Sequence, residues 1–245
     1  MTQTSALPQE EKVLDLREKG GVKNGQPQFL DQRLFIQFQA FSGMTALEPL
    51  TKALEASGIA GVLYEDLHDP KGVALLTMSE HPQDFFTKVR PIFSHSPWSE
   101  LSLKPEHSLF GRTYSLGYEP ELEDWLLSRP QRVILDLKAP WAVWYPLRRT
   151  GAFAKLTRQE QGQILKEHGQ IGRLFGDSGL AQDIRLSCVG LDKADNDFVI
   201  GLIGKELFPL SALVEKMRTT QQTSTYIQSM GPFFVGRVIW RSKQP

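Results

Sequence analysis

The sequence predicts an α+β fold in which a βαββαβ unit occurs twice in one chain. Three observations carry that expectation. Two apolar strand-like runs, "RLFIQFQAF" at 33–41 and "WAVWYPLRR" at 141–149, each open a series of strand and helix patterns in the same order. A Gly-Arg pair closes each series, at Gly111-Arg112 and Gly236-Arg237, and the interval from Val73 to the first pair nearly equals that from Val199 to the second. The chain has 245 residues, 40% of them hydrophobic, enough for a sizeable core in one large domain or two lobes.

Residues 1–30 are polar and end in "GGVKNGQPQ"; they read as an arm with a short helix, packed on the body or on a neighbouring subunit. Residues 31–119 form the first unit. Its strand at 33–41 leads to a helix in "TALEPLTKALEAS" that Gly58 stops, then to strands "AGVLYED" and "GVALLTMSE", a helix "PQDFFTKVRPIF" and a closing strand "SLFGRTYSLGY". Residues 120–139 read as a connector carrying Pro120 and Pro130. Residues 140–245 repeat the order: strand 141–149, a helix over 157–175, strands "IRLSCVGL" and "DFVIGLIG", a helix "LSALVEKMRTTQQTSTY" and a last strand "PFFVGRVIW". Each unit predicts an antiparallel sheet with helices on one face, and two such sheets can pack together or close into a barrel.

Lys plus Arg and Asp plus Glu both total 28, so no basic excess points to nucleic acid or an anionic membrane. Cys188 is the only cysteine, which excludes an internal disulfide and a Cys-rich zinc site and fits a reducing compartment. No apolar run is long enough for a membrane span, and the N-terminal residues lack a signal-peptide pattern; the expected location is the cytoplasm.

His68, His81, His95 and His107 have no zinc-pair spacing and read as surface or capping residues, which makes the first half structural. The second half is different. Thr157 and Glu160 form a capping box, after which Ile164, Leu165, His168, Ile171 and Phe175 follow helical spacing, placing a histidine in an apolar stripe. Gly169 and Gly172 flank it, each costing about 1 kcal/mol relative to alanine within a helix. Either a flat ligand or the sheet approaches that bare surface. In the strand at 141–149 a period of two puts Trp141, Val143, Tyr145, Leu147 and Arg149 on one face, with Tyr145 and Arg149 roughly 13 Å apart. Facing a helical histidine, these groups suit a planar ligand that bears carboxylates; the alternative is an aromatic core strand ending in solvated arginines. Pro146 predicts an edge or bulge.

The stretches "HGQIGR", "VGLDKADNDFVIGL", "VEKMR", "MGPFFVGR" and "WYPLRR" resemble the heme-binding lobe of the chlorite dismutase superfamily, most closely its coproheme decarboxylase branch. The resemblance is strong over residues 130–240 and architectural over the first half. It implies two ferredoxin-like units per subunit, of the dimeric α+β barrel type, a homo-oligomeric ring that is commonly a pentamer, and an iron porphyrin (heme b or coproheme) in the C-terminal unit. It further implies His168 as iron ligand, Tyr145 as the redox-active residue that takes hydrogen from a propionate, and Arg132, Arg149 and Thr223 as propionate contacts. Leu147 stands where methionine is frequent, Gly172 is the second glycine of the histidine motif, and Gln222 falls where chlorite dismutases carry a glutamate bonded to the histidine. On the opposite side of the porphyrin the resemblance implies Asp183, with Arg185 sharing its strand face. A carboxylate there repels an anion unless Arg185 pairs with it. The implied activity is decarboxylation of iron coproporphyrin III to heme b with hydrogen peroxide as oxidant. The alternatives are a chlorite dismutase or heme peroxidase, and a heme carrier without turnover.

Overall fold

A computed structural model describes residues 14–243. It begins with a hairpin, β1 (Glu18–Lys23) and β2 (Gln26–Leu30), turned at Asn24-Gly25, where both residues have positive φ. Asn-Gly is the dipeptide that a tight hairpin turn favours. Residues 18–30 of the arm thus form a hairpin; the part of the expectation that falls on residues 1–13 lies outside the described residues.

The two units follow in the predicted order. The first contains β3 (Phe35–Ser42), α1 (Leu47–Ser57), β4 (Gly61–Asp66), β5 (Val73–Ser79), a π-helical turn Phe85–Val89 that runs into α2 (Arg90–Phe93), and β6 (Ser102–Arg112). A second π-helical turn, Asp124–Ser128, runs into α3 (Arg129–Ile134). The second unit contains β7 (Trp141–Arg149), α4 (Gly151–Ala154), α5 (Arg158–Asp177), β8 (Gln182–Ser187), β9 (Phe198–Gly204), α6 (Leu207–Arg218), α7 (Gln221–Tyr226), β10 (Ile227–Met230) and β11 (Phe234–Arg241).

The strands pair antiparallel in the order β10-β7-β11-β4-β5-β3-β6-β8-β9, and β9 also pairs with β7. That last pairing closes eight of them into a barrel, so the two sheets merge rather than stack. One seam, β4 with β11, runs from Val62 to Asp66; the other, β6 with β8, rests on Arg112 opposite Ser187. On β7, β11 pairs as far as Trp144 and β10 takes over from Leu147. Pro146, which has no N–H to donate, sits in the gap between them, and its carbonyl accepts from Gly231 N at 2.9 Å.

Alternation along the strands sorts side chains into the barrel or onto its outer face. Inside, Phe38, Tyr64, Trp144 and Phe234 pack with ring centroids 5.0–6.4 Å apart. Gly201 makes room for the Trp144 indole, which a Cβ there would meet at 2.3 Å. The segment 122–135 packs Leu122, Leu126, Leu127, Ile134 and Leu135 against this interior. The stretch read as a connector therefore holds a buried helix, and Pro130 is accommodated inside the continuous helical run 122–134 because the π-helical turn just before it already interrupts the regular i-to-i+4 ladder.

Three other expectations are corrected. The closing strand of the first unit spans 102–112, not 108–118. The helix expected over 210–226 breaks at Thr219-Thr220, where Thr220 caps α7. His107 is buried, edge-on to Phe234 at 5.9 Å, and is not a surface residue. Among the described residues no helix is long and apolar enough to cross a membrane.

Candidate functional site

Helices α5, α6 and α7 cover the outer face of the second unit, and a cavity lies between them and the sheet. It measures about 1050 Å³ counted out to its open mouth. The sheet contributes Tyr145, Leu147 and Arg149 from β7, Asp183 and Arg185 from β8, and Phe198, Ile200 and Leu202 from β9. The helices contribute Leu165, His168, Gly169 and Gly172 from α5, Leu213 and Met217 from α6, and Gln222 and Thr223 from α7. The result is a mainly apolar slot with a few polar groups on either side.

His168 projects from α5, whose start is fixed by reciprocal bonds between Thr157 and Glu160. Its Nδ1 lies 3.3 Å from Thr220 Oγ1. That hydroxyl is fully buried and gives its one proton to the Met217 carbonyl at 2.8 Å, so it accepts from His168 Nδ1–H. This fixes the tautomer that leaves Nε2 unprotonated, the state a metal requires. Burial, reinforced by Arg185 and Arg149, holds the imidazole pKa down at about 4, so the ring is neutral at pH 7. A Cβ on Gly169 would meet nothing within 4 Å, whereas one on Gly172 would touch Met217 Cε at 3.4 Å. Gly169 thus presents bare helix surface to the cavity, while at Gly172 a Cβ would sit in ordinary contact with α6.

On β7, Tyr145 is buried and stacks on Phe233 with centroids 4.5 Å apart. Burial, with Asp183 nearby, raises its pKa and keeps the hydroxyl protonated. Leu147 is buried beside it. Arg149 is gripped between Phe153 and Phe198, its Cζ 4.4 Å and 4.7 Å from the two ring centroids. Its guanidinium makes no ion pair among the described residues and its Nε is buried without a partner. Such a cation has a strong use for a ligand carboxylate.

Across the sheet Tyr145 opposes Ile200, and Ile200 opposes Arg185. Two inter-strand spacings put Tyr145 and Arg185 about 10 Å apart on one face. Arg185 Nε bonds Asp183 Oδ2 at 2.9 Å, the pairing that lifts the objection to a carboxylate here. Burial disfavours the charged guanidinium, but Asp183 more than offsets it and the pKa is raised.

Of the residues the sequence singled out, His168, Gly172, Tyr145, Leu147, Arg149, Asp183, Arg185, Gln222 and Thr223 all line this one cavity. Arg132 does not: it points outward from α3 and pairs with Asp124 at 2.6 Å. Arg129, one turn earlier, faces inward instead and reaches Asp183. The buried Gln222 also lines the cavity, but Thr220 is the group beside His168 Nδ1, and Gln222 Oε1 has no partner among the described residues. The sequence reading missed Tyr114, Leu116 and Tyr118, which follow β6 and border the cavity, so the first half is not purely structural. It also missed Thr220, although Thr-x-x-Thr before "STY" is a helix-cap signal.

The family model for chlorite dismutase matches residues 74–239. Among solved structures, a heme-binding protein from Thermus thermophilus is 17% identical, with a TM-score of 0.67 over 85% of this chain and 92% of its own. A mutant chlorite dismutase from Candidatus Nitrospira defluvii is 13% identical, with a TM-score of 0.66 and the same coverages of 85% and 92%. Chlorite dismutase from that organism in complex with imidazole is 14% identical, with a TM-score of 0.64, again over 85% and 92%. No curated protein matches the chain.

Proposed function

The chain belongs to the chlorite dismutase family, and from that premise we propose that it binds an iron porphyrin and decarboxylates iron coproporphyrin III oxidatively to heme b. One observation carries the reading: His168, its Nδ1 turned to Thr220, lies across a slot from a sheet surface that bears a buried tyrosine and an arginine with no ion pair among the described residues.

The residues fit a porphyrin. His168 is the single imidazole in the lining, so a metal held there brings its other ligands with it, as a macrocycle does. Gly169 gives a flat ring open helix surface, and Arg149 offers a cation to a carboxylate. A heme-binding neighbour of the same fold agrees with this reading. When bound, the iron supplies redox chemistry toward peroxide.

The protein's own part follows from the geometry. His168 would hold the metal from α5. Arg149 orients a carboxylate, and Leu147, Phe198, Ile200 and Leu202 exclude water from the sheet side. Tyr145 is the oxidisable side chain; by giving up its hydroxyl hydrogen and then taking one from the carbon beta to a carboxylate, it starts the loss of carbon dioxide. Each round converts one propionate, one proton and one hydrogen peroxide into one vinyl group, one carbon dioxide and two waters. Two rounds give heme b.

The test is mass spectrometry of the porphyrin after mixing protein, iron coproporphyrin III and peroxide. Wild type should yield vinyl products, and Tyr145→Phe, which keeps the ring and its stacking on Phe233, should bind porphyrin without producing them. Heme b formed by Tyr145→Phe at the wild-type rate would remove the tyrosine from the mechanism. A second reading, a chlorite dismutase or peroxidase, is favoured by Arg185, whose cation suits an anionic oxidant. It predicts oxygen release from chlorite that survives Tyr145→Phe and is lost in Arg185→Ala.

A further inference from the structure

Arg185 reaches the cavity already engaged on one side. Its Nε forms an ion pair with Asp183 Oδ2 at 2.9 Å, and the residue lines the cavity. The other carboxylate oxygen of Asp183 faces Arg129 Nη2 at 3.4 Å, and Arg129 Nη1 donates to the Asp183 carbonyl at 3.0 Å. Both guanidiniums also lie against one indole: Arg129 Cζ is 5.0 Å and Arg185 Cζ 5.1 Å from the Trp125 ring centroid. The indole N–H is fixed in turn by the Tyr114 carbonyl at 3.1 Å. Trp125 and Arg129 come from the buried segment that plugs the barrel, so a rigid element anchors one end of the chain of contacts.

One carboxylate between two guanidiniums leaves this edge of the cavity with a net charge of about +1. Asp183 is therefore a bridge, its two oxygens divided between two cations. We propose that Arg129 is a positioning residue which, through Asp183 and Trp125, fixes the Arg185 guanidinium opposite His168 and so gives the site its preference for a small anionic ligand. The inference rests on the porphyrin reading above. It differs from a simple charge effect, because Arg129 acts only through Arg185.

The experiment is a fluoride titration of protein reconstituted with ferric heme, followed by absorption spectroscopy, alongside the heme spectrum and the melting temperature. Arg129→Met should load heme normally and bind fluoride about tenfold more weakly, the weight of one hydrogen bond to a charged group. Arg129→Lys, which keeps the charge without the two-point grip, should recover only part of the loss. Arg185→Met should lose at least as much, and adding Arg129→Met to it should change nothing further. Wild-type fluoride affinity in heme-loaded Arg129→Met overturns the proposal, as does an equal loss in the presence and absence of Arg185, which marks through-space charge alone. Should Arg129→Met fail to fold, Arg129→Lys decides: weakened fluoride binding supports positioning and wild-type affinity overturns it. Failure of the wild type to take up heme overturns the porphyrin reading and this inference with it, whereas normal uptake with indifferent Arg129 variants overturns this inference alone.

Discussion

Replacing Gly169 by leucine separates the two reasons a glycine can have for standing in the middle of α5. If the residue serves helix packing, leucine collides with a neighbour; if it serves a ligand, leucine collides only when the ligand arrives. A Cβ at Gly169 meets no atom within 4 Å, and the position lines the cavity. In the porphyrin-free protein leucine should therefore relieve the conformational cost of glycine and stabilise the helix by about 0.8 kcal/mol. For a chain of this size that raises the melting temperature by about 2–3 °C. The same side chain then occupies space a porphyrin needs, and overpacking costs about 1–3 kcal/mol, which weakens binding about five- to hundredfold. Gly162 on the same helix is the control, since it too faces open space but lies outside the cavity lining. Gly162→Ala should give the gain in stability and leave binding alone. Calorimetry without porphyrin and heme titration by absorbance read the two effects. A Gly169→Leu variant that binds heme as tightly as wild type, or melts earlier before heme is added, would refute the argument.

Removing the guanidinium with Arg149→Met should weaken binding of a carboxylate-bearing porphyrin by about 1.5–3 kcal/mol and barely affect a porphyrin whose carboxylates are esterified, measured by paired titrations. The His168 imidazole, held at about 4 against an ordinary 6.5, stays neutral in the folded chain where the unfolded chain takes a proton. Stability is therefore full above pH 6.5 and falls by up to about 3 kcal/mol as pH drops toward 4; urea unfolding of wild type and His168→Gln at pH 7, 5 and 4 should show this loss only in wild type. Gly201→Ala places a methyl 2.3 Å from the fully buried Trp144 indole and should cost roughly 1–3 kcal/mol in denaturant unfolding, with heme binding per folded molecule unchanged.

Strong local periodicity made most of the fold legible. The alternation in "WAVWYPLRR" gave the bounds of β7 and the face of Tyr145 and Arg149, and the capping box gave the start of α5. Context hid the rest. Prolines at 120 and 130 resemble linker punctuation, yet Pro130 sits where a helix tolerates it, so the plug segment and its Arg129 and Trp125 were missed. Choosing between Arg129 and Arg132 needs the orientation of a helix that begins as a π-turn, and the usual 3.6-residue period does not supply it. The partner of His168 depends on the break at Thr220, a cap inside a run that reads as one helix. Tyr114, Leu116 and Tyr118 reach the cavity through barrel closure, a long-range pairing that no local pattern encodes. The Asn24-Gly25 turn, by contrast, was a local signal for the hairpin.

This barrel has two outer faces of similar design and different fates. On the first unit the space under the helices is taken up by Phe41, Phe93 and Trp98, whose rings pack 5.2–5.6 Å apart. On the second, the matching space is hollow and holds a half-buried arginine without a counter-ion among the described residues. A hollow is a mechanical weakness, and a chain with only one unit would have to carry it unaided. Here the solid half acts as ballast: its strands pair with those of the hollow half at both seams, so the binding surface can change residue by residue while the frame stays closed. Variation should accordingly be tolerated unevenly, with substitutions around the cavity altering what is bound and those around Trp98 altering whether the chain folds.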